Sequence, residues 1–310
     1  SSDTFSLDAM LADLDALVSC ESPSRDIERL QSHAQLLAGL MERMLGSAPT
    51  LIDSPVGPHI HWRGGNDPKV LILGHHDTVH PAGTLSRLPF AVRDGIATGP
   101  GVFDMKAGIV QAIHAVAALE DKSHVEILFT ADEEIGSHAS RALLEERARA
   151  CGSALVLEPS ADGGALKIGR KGTGTLTLTI EGRASHAGLE PEKGVNATTE
   201  IAHAVLAIAA MENPEHGTTV VPTTLRAGNT TNTVPDLAVL DIDIRSYSMA
   251  DLQRVDAAIK ALKPVNAATR YEVTGGFNRP PLETSATMAL YERAEKVAQS
   301  LGMPPLGHAS

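Results

Sequence analysis

Three short apolar runs separated by helical stretches do most to limit what this chain can fold into. Val70–Leu73, Val125–Phe129 and Ala154–Leu157 are nearly continuous in apolar residues, and amphipathic segments lie at Ala107–Leu119 and Ser140–Ala150. Buried strands alternating with helices predict an α/β domain built on a mainly parallel sheet. Two more helices are expected ahead of it, at Leu7–Val18 and Asp26–Leu45, the second behind an N-cap cluster at Ser22-Pro23-Ser24.

The pattern changes after Gly172. Thr173–Ile180 alternates Thr with Leu or Ile, the period of a strand with one buried face. A helix at Val195–Met211, strands near Thr218–Ala227 and Leu237–Arg245, a helix at Ala250–Leu262 and a strand at Arg270–Thr274 follow. This β-α-β-β-α-β order predicts a ferredoxin-like unit inserted into the first domain. Beyond Gly275-Gly276, a helix near Ser285–Leu301 is assigned back to that domain. The expected division is therefore 1–171, 172–278 and 279–310.

Composition narrows the functional classes. A net charge of −12 argues against a nucleic-acid partner, since phosphates attract clustered Lys and Arg. No stretch reaches the roughly 18 apolar residues of a membrane span. Cys20 and Cys151 imply no disulfide framework, and Cys20 reads as a buried thiol. A cytoplasmic location is expected, with a leader removed ahead of Ser1 as the alternative.

The chemistry lies where the apolar runs stop. The first ends in Gly74-His75-His76-Asp77, the second leads to Asp132-Glu133-Glu134, and the third to Glu158-Pro159. Asp104 stands between Gly99-Pro100-Gly101 and a helix start. Each piece alone is an ordinary polar loop, but ligands bind at the carboxyl edge of a parallel sheet, where all three converge. Carboxylates gathered at one edge repel each other unless cations join them. Oxygen donors with histidine nitrogen suit Zn²⁺, with Mn²⁺ or Co²⁺ as alternatives.

These four motifs, taken in chain order with that of Asp104-Met105-Lys106 second, resemble the M20 metallopeptidases: glutamate carboxypeptidase, aminoacylases, acetylornithine deacetylase and succinyl-diaminopimelate desuccinylase. The resemblance implies a two-metal hydrolase that cleaves an amide beside a free amino-acid carboxylate. His75 would bind one ion with its imidazole oriented by Asp77. Asp104, joined to Met105 by a cis peptide, would bridge both ions. Glu158 would share the ion of His75, Glu134 would bind the other, and Glu133 would be the general base. The inserted unit resembles the family's lid and dimerisation domain. Its Ala184-Ser185-His186-Ala187-Gly188 segment implies that His186 steadies the oxyanion in a partner subunit; a loop histidine capping the next helix is the alternative. Asn229, Arg245 and Arg279 are candidates to hold the substrate carboxylate, and for Arg245 a structural ion pair is the rival role.

Two features depart from the family pattern or divide its branches. The resemblance implies a last His ligand after a Gly-rich Ser/Thr-Asp segment, and the sequence reaches Ser310 before either. His308 lies upstream of that segment and is not given the role, so the chain as it stands is expected to be weakly active or inactive. The strings around His75 and Glu158 favour the glutamate carboxypeptidase branch, whereas Gly169-Arg170-Lys171-Gly172 favours the deacylases. Lys167 or Arg170 would meet an acidic substrate group or face solvent. A silent binding protein on the same fold remains a rival reading. A nucleotide-binding protein is disfavoured because Gly99-Pro100-Gly101 lacks a phosphate-loop spacing, and a serine hydrolase because no Gly-x-Ser-x-Gly elbow occurs.

Overall fold

The computed structural model describes residues 5–309. By its internal contacts the chain divides after Pro159 into two compact units.

The first unit opens with helices α1 (Leu7–Ser19) and α2 (Ile27–Leu45). Asp26, not the upstream serines, caps α2 by accepting the Arg29 backbone N–H at 3.2 Å. The serines are engaged elsewhere. The strands are β1 (Thr50–Ile52), β2 (His59–Arg63), β3 (Val70–His75), the hairpin β4 (Ala91–Arg93) and β5 (Ile96–Thr98), then β6 (Val125–Thr130) and β7 (Ser153–Val156). Helix α3 (Ala107–Ala117) precedes β6, and α4 (Arg141–Ala150) joins β6 to β7.

One sheet has the order β1-β2-β6-β3-β7. Its three apolar strands run parallel, with His75 level with Thr130 and Leu73 level with Val156. β1 and β2 add to it in antiparallel fashion, so the sheet is mixed rather than purely parallel. The third apolar run differs from its expected burial: β7 pairs with β3 alone, and Leu155 and Val156 are exposed. Leu17, Val18, Leu37, Met41, Ile109, Ile113, Ile127 and Phe129 form the core between helices and sheet. Burying each such side chain contributes about 1.5–3 kcal/mol.

The second unit contains β8 (Leu166–Lys167), β9 (Gly172–Glu181), β10 (Ser185–His186), α5 (Ala197–Ala209), β11 (Thr219–Ala227), β12 (Thr233–Val234) and β13 (Leu237–Ser246). After these come α6 (Met249–Lys260), β14 (Arg270–Arg279), α7 (Thr284–Ser300) and β15 (His308–Ala309). Its main sheet, β11-β13-β9-β14, is antiparallel throughout. With α5 and α6 this is the ferredoxin-like arrangement the element order predicts. Leu176, Leu178 and Ile180 of β9 face a core shared with Ile201, Ile208, Leu252 and Val255, while the alternate threonines stay outside it. β14 runs on through Gly275, where the sequence suggested a stop. Gly275 has φ +90°, and a Cβ there would lie 2.3 Å from the Thr175 carbonyl oxygen. Only glycine fits that approach.

The residues flanking this sheet associate with one another. β8 pairs with β15, Arg170 bridges to Leu282, and the Thr287 hydroxyl donates to the Ile168 carbonyl.

Candidate metal centre

The carboxyl ends of β3, β6 and β7 gather the predicted ligands within the first unit. One nitrogen or oxygen from each of His75, Asp104 and Glu134 lies within 4.8 Å of the others, and the same holds for His75, Glu133 and Glu158. Among the described residues these are the groups of three able to hold a metal ion. Glu158 thus falls beside His75. Glu134 also gathers with His75 and Asp104, where the resemblance would place it on the other ion.

Asp77 is the buried hub of the site. Its carboxylate accepts from the backbone N–H of Glu133 at 3.2 Å and of Glu134 at 3.3 Å, and from the Ser24 hydroxyl at 2.8 Å. Burial alone would raise its pKa, yet hydrogen bonds from His75 and Ser24 hold it below the usual carboxylate range. One side chain therefore positions the acidic turn after β6 and faces the imidazole of His75.

His75 Nδ1 donates to the Asp77 carbonyl at 3.0 Å, and Nε2 faces Asp104 Oδ1 at 3.1 Å. Oxygen at both nitrogens favours the charged form of the ring. Burial opposes the charge, but the Asp77 hydrogen bond and the charges of Asp77 and Glu133 raise the pKa to about 9. Glu134 moves up too, through burial and the nearby carboxylates of Asp104, Glu133 and Asp77, against the pull of His75. Four carboxylates, those of Asp104, Glu133, Glu134 and Glu158, gather at this one ring. Borderline nitrogen and hard oxygen donors around such a charge deficit fit a divalent ion.

The neighbouring histidine has the opposite environment. His76 donates through Nε2 to the Pro58 carbonyl at 2.9 Å and stacks on His33 with ring centroids 5.3 Å apart. Burial pushes its pKa down to about 4.

Close packing holds the loops. The peptide between Asp104 and Met105 is cis. The Met105 sulfur accepts the His75 backbone N–H at 3.3 Å, and a Cβ on Gly74 would come 2.7 Å from the Met105 methyl. Ser22 and Ser24, read from the sequence as a helix cap, instead bind this loop: Ser22 donates to the His76 carbonyl at 2.6 Å, Ser24 to Asp77. No sequence signal separates that role from capping, because it depends on a segment more than fifty residues away. Cys20 is half-buried and burial raises its thiol pKa; both cysteines are free.

The remaining candidates lie in the second unit. His186 Nδ1 accepts the backbone N–H of Gly188 and of Leu189, each at 3.1 Å. These are the bonds of a loop-capping histidine, and they leave Nε2 as the protonated nitrogen when the ring is neutral. Arg245 pairs with Asp243 at 2.9 Å on the same face of β13, the structural ion pair weighed above. Asn229 follows Gly228, which has φ +68°, and Arg279 ends β14; both are exposed. No helix among the described residues is long and apolar enough to cross a membrane.

The sequence model of "Peptidase family M20/M25/M40" matches residues 71–309. The chain is 32% identical to carboxypeptidase G2 of Pseudomonas sp. (strain RS-16) over 82% of its own length and 63% of that protein's. It is 31% identical to the succinyl-diaminopimelate desuccinylase of Dechloromonas aromatica, over 74% of this chain and 68% of the other. The chain thus spans less than two thirds of the carboxypeptidase it matches. Among solved structures, aminopeptidase PepT from Bacillus cereus superposes with a TM-score of 0.80 at 22% identity, over 99% of this chain and 85% of that one. The YXEP protein of Bacillus subtilis, described as a dinuclear metal binding peptidase, gives 0.62 at 15% identity, over 97% and 83%.

Proposed function

The chain belongs to the M20/M25/M40 peptidase family, and from that membership we propose that it forms the metal-binding part of a hydrolase that cleaves an amide bond beside a free amino-acid carboxylate. The observation that carries this reading is the gathering of Asp104, Glu133, Glu134 and Glu158 at His75, with Asp77 buried beneath the Glu133-Glu134 turn. His75, Asp104, Glu134 and Glu158 would hold two ions, Zn²⁺ by preference with Mn²⁺ or Co²⁺ as substitutes. When bound, such ions supply Lewis-acid polarisation of a carbonyl and lower the pKa of water.

The chain's own residues would do the rest. Asp77 holds the imidazole of His75 and the Glu133-Glu134 turn in place. Glu133 takes a proton from the attacking water and passes it to the departing amine. His186 would steady negative charge on the carbonyl oxygen in the active site of a partner subunit. Asn229, Arg245 and Arg279 are the proposed contacts for the substrate carboxylate, an arginine fork matching both oxygens. Residues 172–278 serve as lid and homodimerisation domain, between a metal-binding part at 1–171 and its return at 279–310.

A second reading, an N-acyl-amino-acid deacylase, is favoured by the desuccinylase similarity and by the cationic Gly169-Arg170-Lys171-Gly172 stretch. Turnover of C-terminal dipeptides and of N-acyl amino acids with added Zn²⁺ separates the two. Glu133→Gln is expected to lower turnover by about 10²–10⁴-fold while metal content by elemental analysis stays unchanged. A variant at wild-type rate would remove the general base.

A further inference from the structure

Lys106 is a buried charge that the roles above do not use. Its side chain is 1% exposed. The ammonium donates to the Leu17 carbonyl at 2.9 Å and the Cys20 carbonyl at 3.1 Å. Taking an ion out of water costs several kcal/mol unless its hydrogen bonds are replaced. The partners here belong to the end of α1, where carbonyls lack helical donors and the helix dipole is negative. Glu21, next in the chain, adds negative charge while bound to the backbone N–H groups of Gly83 and Leu85.

The other end of the residue is pinned as well. The Lys106 backbone N–H donates to the Gly101 carbonyl at 2.9 Å, closing the irregular turn Val102–Lys106 that carries Asp104. The Asp104 side chain is 52% exposed; its carboxylate faces His75 at 3.1 Å and otherwise lies beside the like-charged carboxylate of Glu134. Its own contacts do little to fix it, so its position has to come from the turn. A methionine of similar length would fill the core at no charge cost but would leave both α1 carbonyls without their donor.

Resting on the two-metal reading, we propose that Lys106 is a positioning residue for the metal centre. Its ammonium clamps the Asp104 turn to the end of α1, and thereby sets the carboxylate where two cations require it. Partners of this kind alter metal affinity by about 10–100-fold when removed.

Lys106→Met, checked for folding by circular dichroism, should bind Co²⁺ about 10–100-fold more weakly, with a changed visible ligand-field spectrum. Lys106→Arg should recover part of both. A role confined to core filling would leave that spectrum unmoved. In the wild-type protein, Co²⁺ loading should slow amide hydrogen exchange at residues 101–106 and also at 17–21, because coupling through the clamp is reciprocal. A folded Lys106→Met with wild-type affinity and spectrum overturns the clamp. Should that variant not fold, absence of metal-dependent protection at residues 17–21 in the wild type overturns it instead. Failure of the wild type to take up Co²⁺ at all would remove the two-metal reading and the clamp together, whereas normal uptake with an unaltered variant removes the clamp alone.

Discussion

At the scale of single residues, the protonation of His75 decides how a metal can enter. Its pKa stands at about 9 against an ordinary 6.5, so the metal-free protein carries a proton on each ring nitrogen at neutral pH. A metal bound there must displace one of them. Apparent affinity should therefore rise by about tenfold per pH unit from neutrality and level off above about 9. The raised value has a second consequence, with its own sign. The charged ring stabilises the metal-free fold fully below about 6.5, and that contribution is lost as pH climbs through about 9. A Zn²⁺ competition titration across this window tests the first effect, and a pH-independent affinity would remove the imidazolium. That His75 and not His76 faces the acids was legible only through the resemblance, since the sequence places the two side by side. The contrast arises from tertiary partners: Asp77 and Asp104 for one ring, Pro58 and His33 for the other.

At the scale of elements, the ligands converge because strands and helices approach closely at particular glycines. Gly108 begins α3 against the end of the third apolar strand, and a Cβ there would lie 1.9 Å from the Leu157 carbonyl oxygen, next to Glu158. Gly108→Ala should cost about 3 kcal/mol, the upper part of the overpacking range, and weaken metal binding on the Glu158 side. Gly39, within α2, has nothing within 4 Å of an added methyl, and Gly39→Ala should instead stabilise by about 0.4–1 kcal/mol. Urea unfolding with the midpoint shifting at constant slope checks both, and similar shifts for the two would contradict the packing argument. The same close approaches explain what the sequence concealed. β14 continues through a Gly275-Gly276 pair that reads as a chain break, because its Cβ-free backbone passes Thr175. β1 has only three residues, too few for a period to show, so its pairing with β2 carried no local signal. Long periodic segments such as α2 and β9 were legible nearly to their ends, since burial on one face fixes their spacing.

At the scale of the molecule, the division into an α/β unit and an antiparallel unit was readable from the switch between apolar runs and strict alternation. The mixed character of the first sheet was not, because β1 is a three-residue edge strand and β2, although buried, carries His59, His61 and Arg63 among its apolar residues. The acidic centre also makes metal part of the stability of this fold. An ion that binds the folded chain alone, present at 100 times its dissociation constant, adds about 2.7 kcal/mol. For a protein of this size that corresponds to a rise of about 4 °C in melting temperature. Calorimetry of the chelated and Zn²⁺-loaded protein should show that rise, reversed by renewed chelation. Coincident melts would mean that no metal centre forms. The variants sharpen the outcome. Glu133→Gln keeps His75, Asp104, Glu134 and Glu158, so its melt should still respond to Zn²⁺ in full. Asp104→Asn loses the proposed bridging charge, and its response should shrink or vanish. Equal responses from the two would separate stability from the proposed ligand set and send the search for the stabilising ion elsewhere in the chain.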